Sequence, residues 1–128
     1  MKRAAVALLA SVALLAACEQ PLPAERLAYT GEWKSLTGDE SMSLVIYAGG
    51  RVVYERKTGN RSTRIDAPLK EFKGDSFLVG VGFMNTEFVV TKPPHEEGGL
   101  WKMTVDGVEL TRVSGQDLQI ENPDSTST

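Results

Sequence analysis

The hydrophobic and polar positions of this chain change their period once, near residue 18. Before it, residues 4–17 form an apolar run of fourteen, broken only by Ser11 and preceded by the cations Lys2 and Arg3. A membrane-spanning helix needs roughly twenty apolar residues, so the run reads as the core of a cleaved N-terminal signal helix. After it, apolar residues recur at every second position. Met42, Leu44 and Ile46 alternate with Ser43, Val45 and Tyr47, the period of a strand. The same pattern predicts strands at 30–35, 41–47, 51–56 and 62–67. Pro68 lacks the N–H that a central ladder needs and is expected to interrupt the fourth, with a short strand around Phe72 to follow. Phe77, Val79 and Val81 line one face of the next strand, and Phe88 and Val90 one face of the strand after it.

Residues 92–99, with Pro93, Pro94, Gly98 and Gly99, read as a longer loop. The last hairpin is the clearest. Trp101, Met103 and Val105 alternate with Lys102 and Thr104, and Val108 and Leu110 with Glu109 and Thr111. Between them Asp106-Gly107 suits a type I′ turn, in which both central residues take positive φ. Residues 114–128 are polar, end Ser-Thr-Ser-Thr and read as a disordered tail. No stretch after Cys18 carries helical periodicity, although residues 24–28 suit a helical turn. The expected fold class is all-β, a single small antiparallel meander closed as a barrel or rolled as a sandwich. Closure would remove exposed strand edges.

The end of the leader adds an address. In Leu15-Ala16-Ala17-Cys18 two small residues let an extended backbone enter a peptidase cleft, and the next residue is the only cysteine of the chain. The arrangement resembles the lipobox of bacterial lipoproteins, and the chain as a whole is similar to the small lipoproteins of Gram-negative bacteria. The resemblance implies cleavage between Ala17 and Cys18, a diacylglycerol thioether on the Cys18 thiol and acylation, such as by palmitate, of the new amine. Two or more acyl chains hold a protein stably at a membrane where one holds it reversibly. Glu19 stands where Asp would mark inner-membrane retention, so the resemblance implies the outer membrane, at its periplasmic face. The expected organisation is a signal peptide at 1–17, a lipidated tether at 18–29, a β domain at 30–113 and a tail at 114–128.

Removing 17 leader residues from 128 leaves 111, enough for one small domain. The mature balance is 12 basic residues against 17 acidic, or −5, which disfavours nucleic acid as a partner. With the one cysteine committed to lipid no disulfide is available, so packing must hold the fold. A second resemblance lies in Gly31-Glu32-Trp33, which is similar to the Gly-x-Trp signature of lipocalins and of small periplasmic inhibitors with lipocalin-like barrels. It implies a barrel with Trp33 plugging one end and Gly31 allowing a close approach. The short β region leaves little length per strand for a large ligand cavity.

Candidate chemistry is sparse. The single histidine, His95, lies in the Pro/Gly-rich stretch beside Glu96 and Glu97. A triad needs its base held rigidly by a third group, and neighbouring residues of an extended chain point different ways, so neither a catalytic site nor a metal site is expected there. Gly80-Val81-Gly82 precedes no helix start and is read as a bend or bulge rather than a phosphate cradle. Asn60-Arg61-Ser62 matches a glycosylation acceptor, which a bacterial lipobox makes irrelevant, and is read as a turn. Charge is uneven: residues 51–73 hold seven basic residues against three acidic, and residues 74–128 three against nine. Arg51, Arg56, Arg61 and Arg64 therefore offer a contact for anionic surfaces, with an ordinary solvated face as the alternative. The expectation is an outer-membrane lipoprotein that acts without enzymatic activity, cofactor or metal. It is an envelope binding module, attached to the membrane through its N-terminal lipid, whose partner is an envelope protein or an anionic envelope component. The alternatives are an inhibitor of a secreted hydrolase or protease and a carrier of a small apolar ligand.

Overall fold

The period-two alternation becomes nine antiparallel strands in a computed structural model that describes residues 19–36, 38 and 41–114. Cys18, Ala17 and the tail beyond Ser114 lie outside the described residues. A short 3-10 helix (Ala24–Tyr29) leads into β1 (Gly31–Lys34), β2 (Ser41–Ile46), β3 (Arg51–Thr58) and β4 (Arg61–Lys73). β5 (Ser76–Val81), β6 (Met84–Phe88), β7 (Val90–Glu97), β8 (Leu100–Val105) and β9 (Val108–Ser114) follow. All join one sheet in the order β6-β5-β4-β3-β2-β1-β9-β8-β7. Pairing of the first strand with the last curls the meander into a half-barrel. The two edge strands, β6 and β7, are consecutive in the chain with only Val89 between them. Three bonds pin that corner. Val89 donates to Asp106 Oδ1 at 2.9 Å, Asp106 N–H to the Val89 carbonyl at 2.8 Å, and Val90 N–H to Ser76 Oγ at 2.9 Å.

Register puts the alternating set inside. Leu44 stands opposite Tyr54 and Trp33, and all three are buried with Met42, Ile46, Val52, Met103 and Leu110. Aromatic rings fill the far side of the core: Phe77 stacks on Phe88 at 5.4 Å, and Tyr54 meets Phe88 edge-on at 5.0 Å. The Asp106-Gly107 turn has φ of 50° and 80°, the double positive φ of type I′.

Two expectations are corrected. Pro68 does not interrupt β4, which runs thirteen residues without a break. Arg51↔Pro68 is the last pair of the ladder to β3, and Leu69↔Val79 the last of the ladder to β5. At that corner neither ladder needs a proline N–H. Residues 92–97 are not a loop but most of β7. β7 is an edge strand, and its register shifts between Lys92 and His95, so Pro93 and Pro94 cost no central hydrogen bond.

The described part of the expected tether lies on the barrel. Leu22 is buried and its N–H bonds the Ala48 carbonyl at 2.9 Å. Tyr29 is buried against Phe72 and Phe77, and its hydroxyl donates to the Asp75 carbonyl at 2.9 Å. The 3-10 helix thus packs on the β4–β5 hairpin of the half-barrel.

Candidate functional site, an open apolar groove

The groove arises where β5 parts from β4. Their ladder ends at Leu69↔Val79, yet the β5–β6 pairing continues through Gly80↔Asn85 to Val81↔Met84. Gly80 makes that pairing tight. Its φ is 155°, and a Cβ there would stand 1.9 Å from the Met84 carbonyl oxygen. The sequence expectation of a bend resolves into this close approach at Gly80 and a turn at Gly82. Residues two apart on a strand share a face, so Ile65 and Ala67 of β4 look across at Val79, Val81, Met84 and Thr86. Together with Phe83 they line an open groove of about 670 Å³. Val79 is buried at its floor, whereas Val81 is 58%, Met84 68% and Phe83 91% exposed. Val81 keeps the face expected of it but lies past the point where packing covers that face. Lys70 Nζ donates to the Gly82 carbonyl at 2.6 Å and braces the turn.

The four arginines singled out by charge are not brought together. Arg51 and Arg64 project to the outer face, where carboxylates meet them. Arg51 lies 3.1 Å from Glu19 and 2.9 Å from Asp66; Arg64 pairs with Glu55 and lies 3.6 Å from Asp66. The hydrogen bond that Arg51 donates to the Asp66 carboxylate holds the guanidinium above its ordinary pKa, against the opposing pull of desolvation. Arg56 and Arg61 fall on the opposite alternation, in line with Tyr54 and with Ile65. His95 sits on the β7 edge with Nδ1 2.8 Å from the Pro93 carbonyl and Nε2 3.4 Å from Glu97. Among the described residues no group of three His, Cys, Asp or Glu is placed to hold a metal ion.

One side chain that charge and motif reading missed covers both tryptophans of the sheet. Arg112 lies over the rings of Trp33 and Trp101, at 5.2 and 5.0 Å, and donates to the carbonyls of Thr30 at 2.8 Å and Ala28 at 3.2 Å. Trp33 itself is fully buried and donates through Nε1 to the Tyr29 carbonyl at 2.9 Å. Desolvation pulls the Arg112 pKa down, but a guanidinium stays charged at neutral pH. The available signal was register: Arg112 continues the alternation of Val108 and Leu110, a cation in an inward position. The apolar tip residues Phe83 and Met84, two large apolar side chains directly after the turn glycine Gly82, are likewise legible in the sequence as a surface feature. No family model, no curated protein and no solved structure matches this chain.

Proposed function

We propose that this protein is a lipid-anchored binding module of the bacterial envelope, held by acylated Cys18 at the periplasmic face of the outer membrane. Its binding surface is the groove between β4 and the β5–β6 hairpin. The observation that carries the reading is the exposed run of Val81, Phe83 and Met84 over a floor of Ile65, Ala67 and Val79. Contiguous exposed apolar surface is a feature of interaction sites, because leaving it in water is costly. The buried Trp33 capped by Arg112 supports the lipocalin-like resemblance, in which a tryptophan plugs the barrel. A second reading, a carrier of a small apolar ligand, is favoured by the groove's volume, which falls in the range of small-molecule sites. Its open side suits an extended chain better than a compact molecule.

Two measurements test the proposal. The Cys18→Ala variant loses lipid labelling and appears in the soluble fraction; retention in the membrane would sink the anchor. The fluorophore anilinonaphthalene sulfonate gains emission with the parent protein and loses most of that gain with Met84→Glu. Equal emission from both would remove the groove as the binding surface.

A further inference from the structure

The place where the chain enters the fold bears on what the groove faces. Gln20 shares a shallow cleft with Gly80, Val81 and Gly82 at the base of the β5–β6 turn. Its backbone is pressed against Gly50, where an added Cβ would meet the Gln20 carbonyl oxygen at 2.1 Å. Glu19 is held by Arg51 at 3.1 Å, and Leu22 by the Ala48 carbonyl. Residues 19–22 are therefore fastened to the barrel beside the hairpin tip. Two residues of chain reach at most about 7 Å, so on the anchored reading a lipid joined before Glu19 would hold this side of the sheet to the bilayer. Val81 lines that cleft together with Gln20, and the exposed Phe83 and Met84 follow it in the same turn and strand. The Lys70 ammonium at their base is exposed.

We infer that the β5–β6 tip is a second membrane contact. Phe83, Met84 and Val81 enter the boundary between headgroups and acyl chains beside the anchor, and the occupant of the groove is the bilayer's own lipid. This rests on the anchored reading above and deepens it by naming the partner. The chemistry fits: large apolar groups gain by leaving water at the interface, and a cation at headgroup level is attracted to anionic phosphates. A tether alone leaves a domain free to tumble. A wedge next to the anchor fixes its orientation, with the β3–β4 turn directed away. β3 runs eight residues from the Gly50 side to that turn, roughly 25 Å of strand.

The single cysteine makes the test selective. Full-length protein is purified from membranes and reconstituted in vesicles of phosphatidylethanolamine and phosphatidylglycerol. A thiol reagent that fails to label the parent reports acylated Cys18. Labelling of the parent removes the anchored reading and, with it, the tip contact. Phe83→Cys and Asn60→Cys then each carry an environment-sensitive fluorophore. The probe at position 83 is expected to shift to the blue and to lose most of its emission to brominated acyl chains. The probe at position 60 is expected to stay quenchable by aqueous iodide. If Cys18 is acylated and iodide quenches position 83 as strongly as position 60, the tip does not touch the membrane and the inference is overturned.

Discussion

Two regions of the sheet meet different fates in this molecule. Around Trp33, a 3-10 helix, an arginine and two indoles cover the sheet, and every polar atom named there has a partner. At the β5–β6 hairpin, the same alternation of apolar residues runs on past the last pair with β4 and is left in water. The contrast teaches that alternation specifies which face a residue occupies, while burial depends on whether a neighbouring strand arrives to cover that face. The covered region accounts for stability. The open hairpin is the part of the sheet that stability alone does not explain.

Substitutions in the two regions should therefore separate stability from binding. Trp33→Ala is expected to cost about 3–5 kcal/mol in urea unfolding, since it removes the largest fully buried side chain and leaves a cavity. Arg112→Ala comes next, at about 2–3 kcal/mol, because it strands the Ala28 and Thr30 carbonyls and removes the cation from both indole rings. Neither is expected to abolish fluorophore binding at the groove at temperatures where the variant stays folded; a loss there would merge the two regions into one. Gly80→Ala tests the hairpin's own geometry. Its methyl would strike the Met84 backbone, and it should cost about 1–3 kcal/mol while disturbing the groove.

Tyr29→Phe gives a smaller effect with a pH signature. Burial raises the Tyr29 phenol above its usual value of 10, Arg26 opposing and Asp75 adding to the rise. The folded state then holds the phenol proton more tightly than the unfolded chain does. This stabilisation is fully present below about pH 10 and is lost as pH climbs through the raised value. Tyr29→Phe should cost about 1 kcal/mol at neutral pH through the lost bond to Asp75. It should also make the alkaline decline in stability shallower. Tyr47, whose phenol is raised chiefly by burial and then by Glu32, retains the rest of that decline. An unchanged alkaline limb would show that Tyr29 does not titrate with unfolding. The smallest expected change in stability is Phe83→Ser, within about 0.5 kcal/mol. It should nevertheless weaken the groove's apolar binding, and a large loss of stability would mean that Phe83 is a packing residue after all.

Much of the fold was legible in period two. Met42, Leu44 and Ile46, and Met103, Val105 and Leu110 are buried as their alternation requires; Phe88 and Val90 are buried too, but as the last residue of β6 and the first of β7 and not as one strand. The Asp106-Gly107 turn followed from the rarity of residues that accept positive φ. Pro68 and the Pro93–Pro94 stretch misled because a proline's cost depends on whether its missing N–H faces a partner strand, and that is decided by position in the sheet. The arginines illustrate a related point. Composition counts Arg51 and Arg64 as cations, but Glu19, Glu55 and Asp66 reach them from other positions in the sequence.

The sequence by itself determined the class of this protein: an alternating chain whose apolar positions must pair in an antiparallel sheet, with turns where glycine, asparagine and aspartate permit them. Tertiary structure alone decided that β4 would serve two ladders in succession, that Arg112 would lie over Trp33, and that Gln20 would rest beside the β5–β6 turn. The physical reason is range. Alternation and turn chemistry act between neighbours in the chain, whereas closure, coverage and the meeting of residues 20 and 81 depend on distances across the sheet that no local pattern encodes.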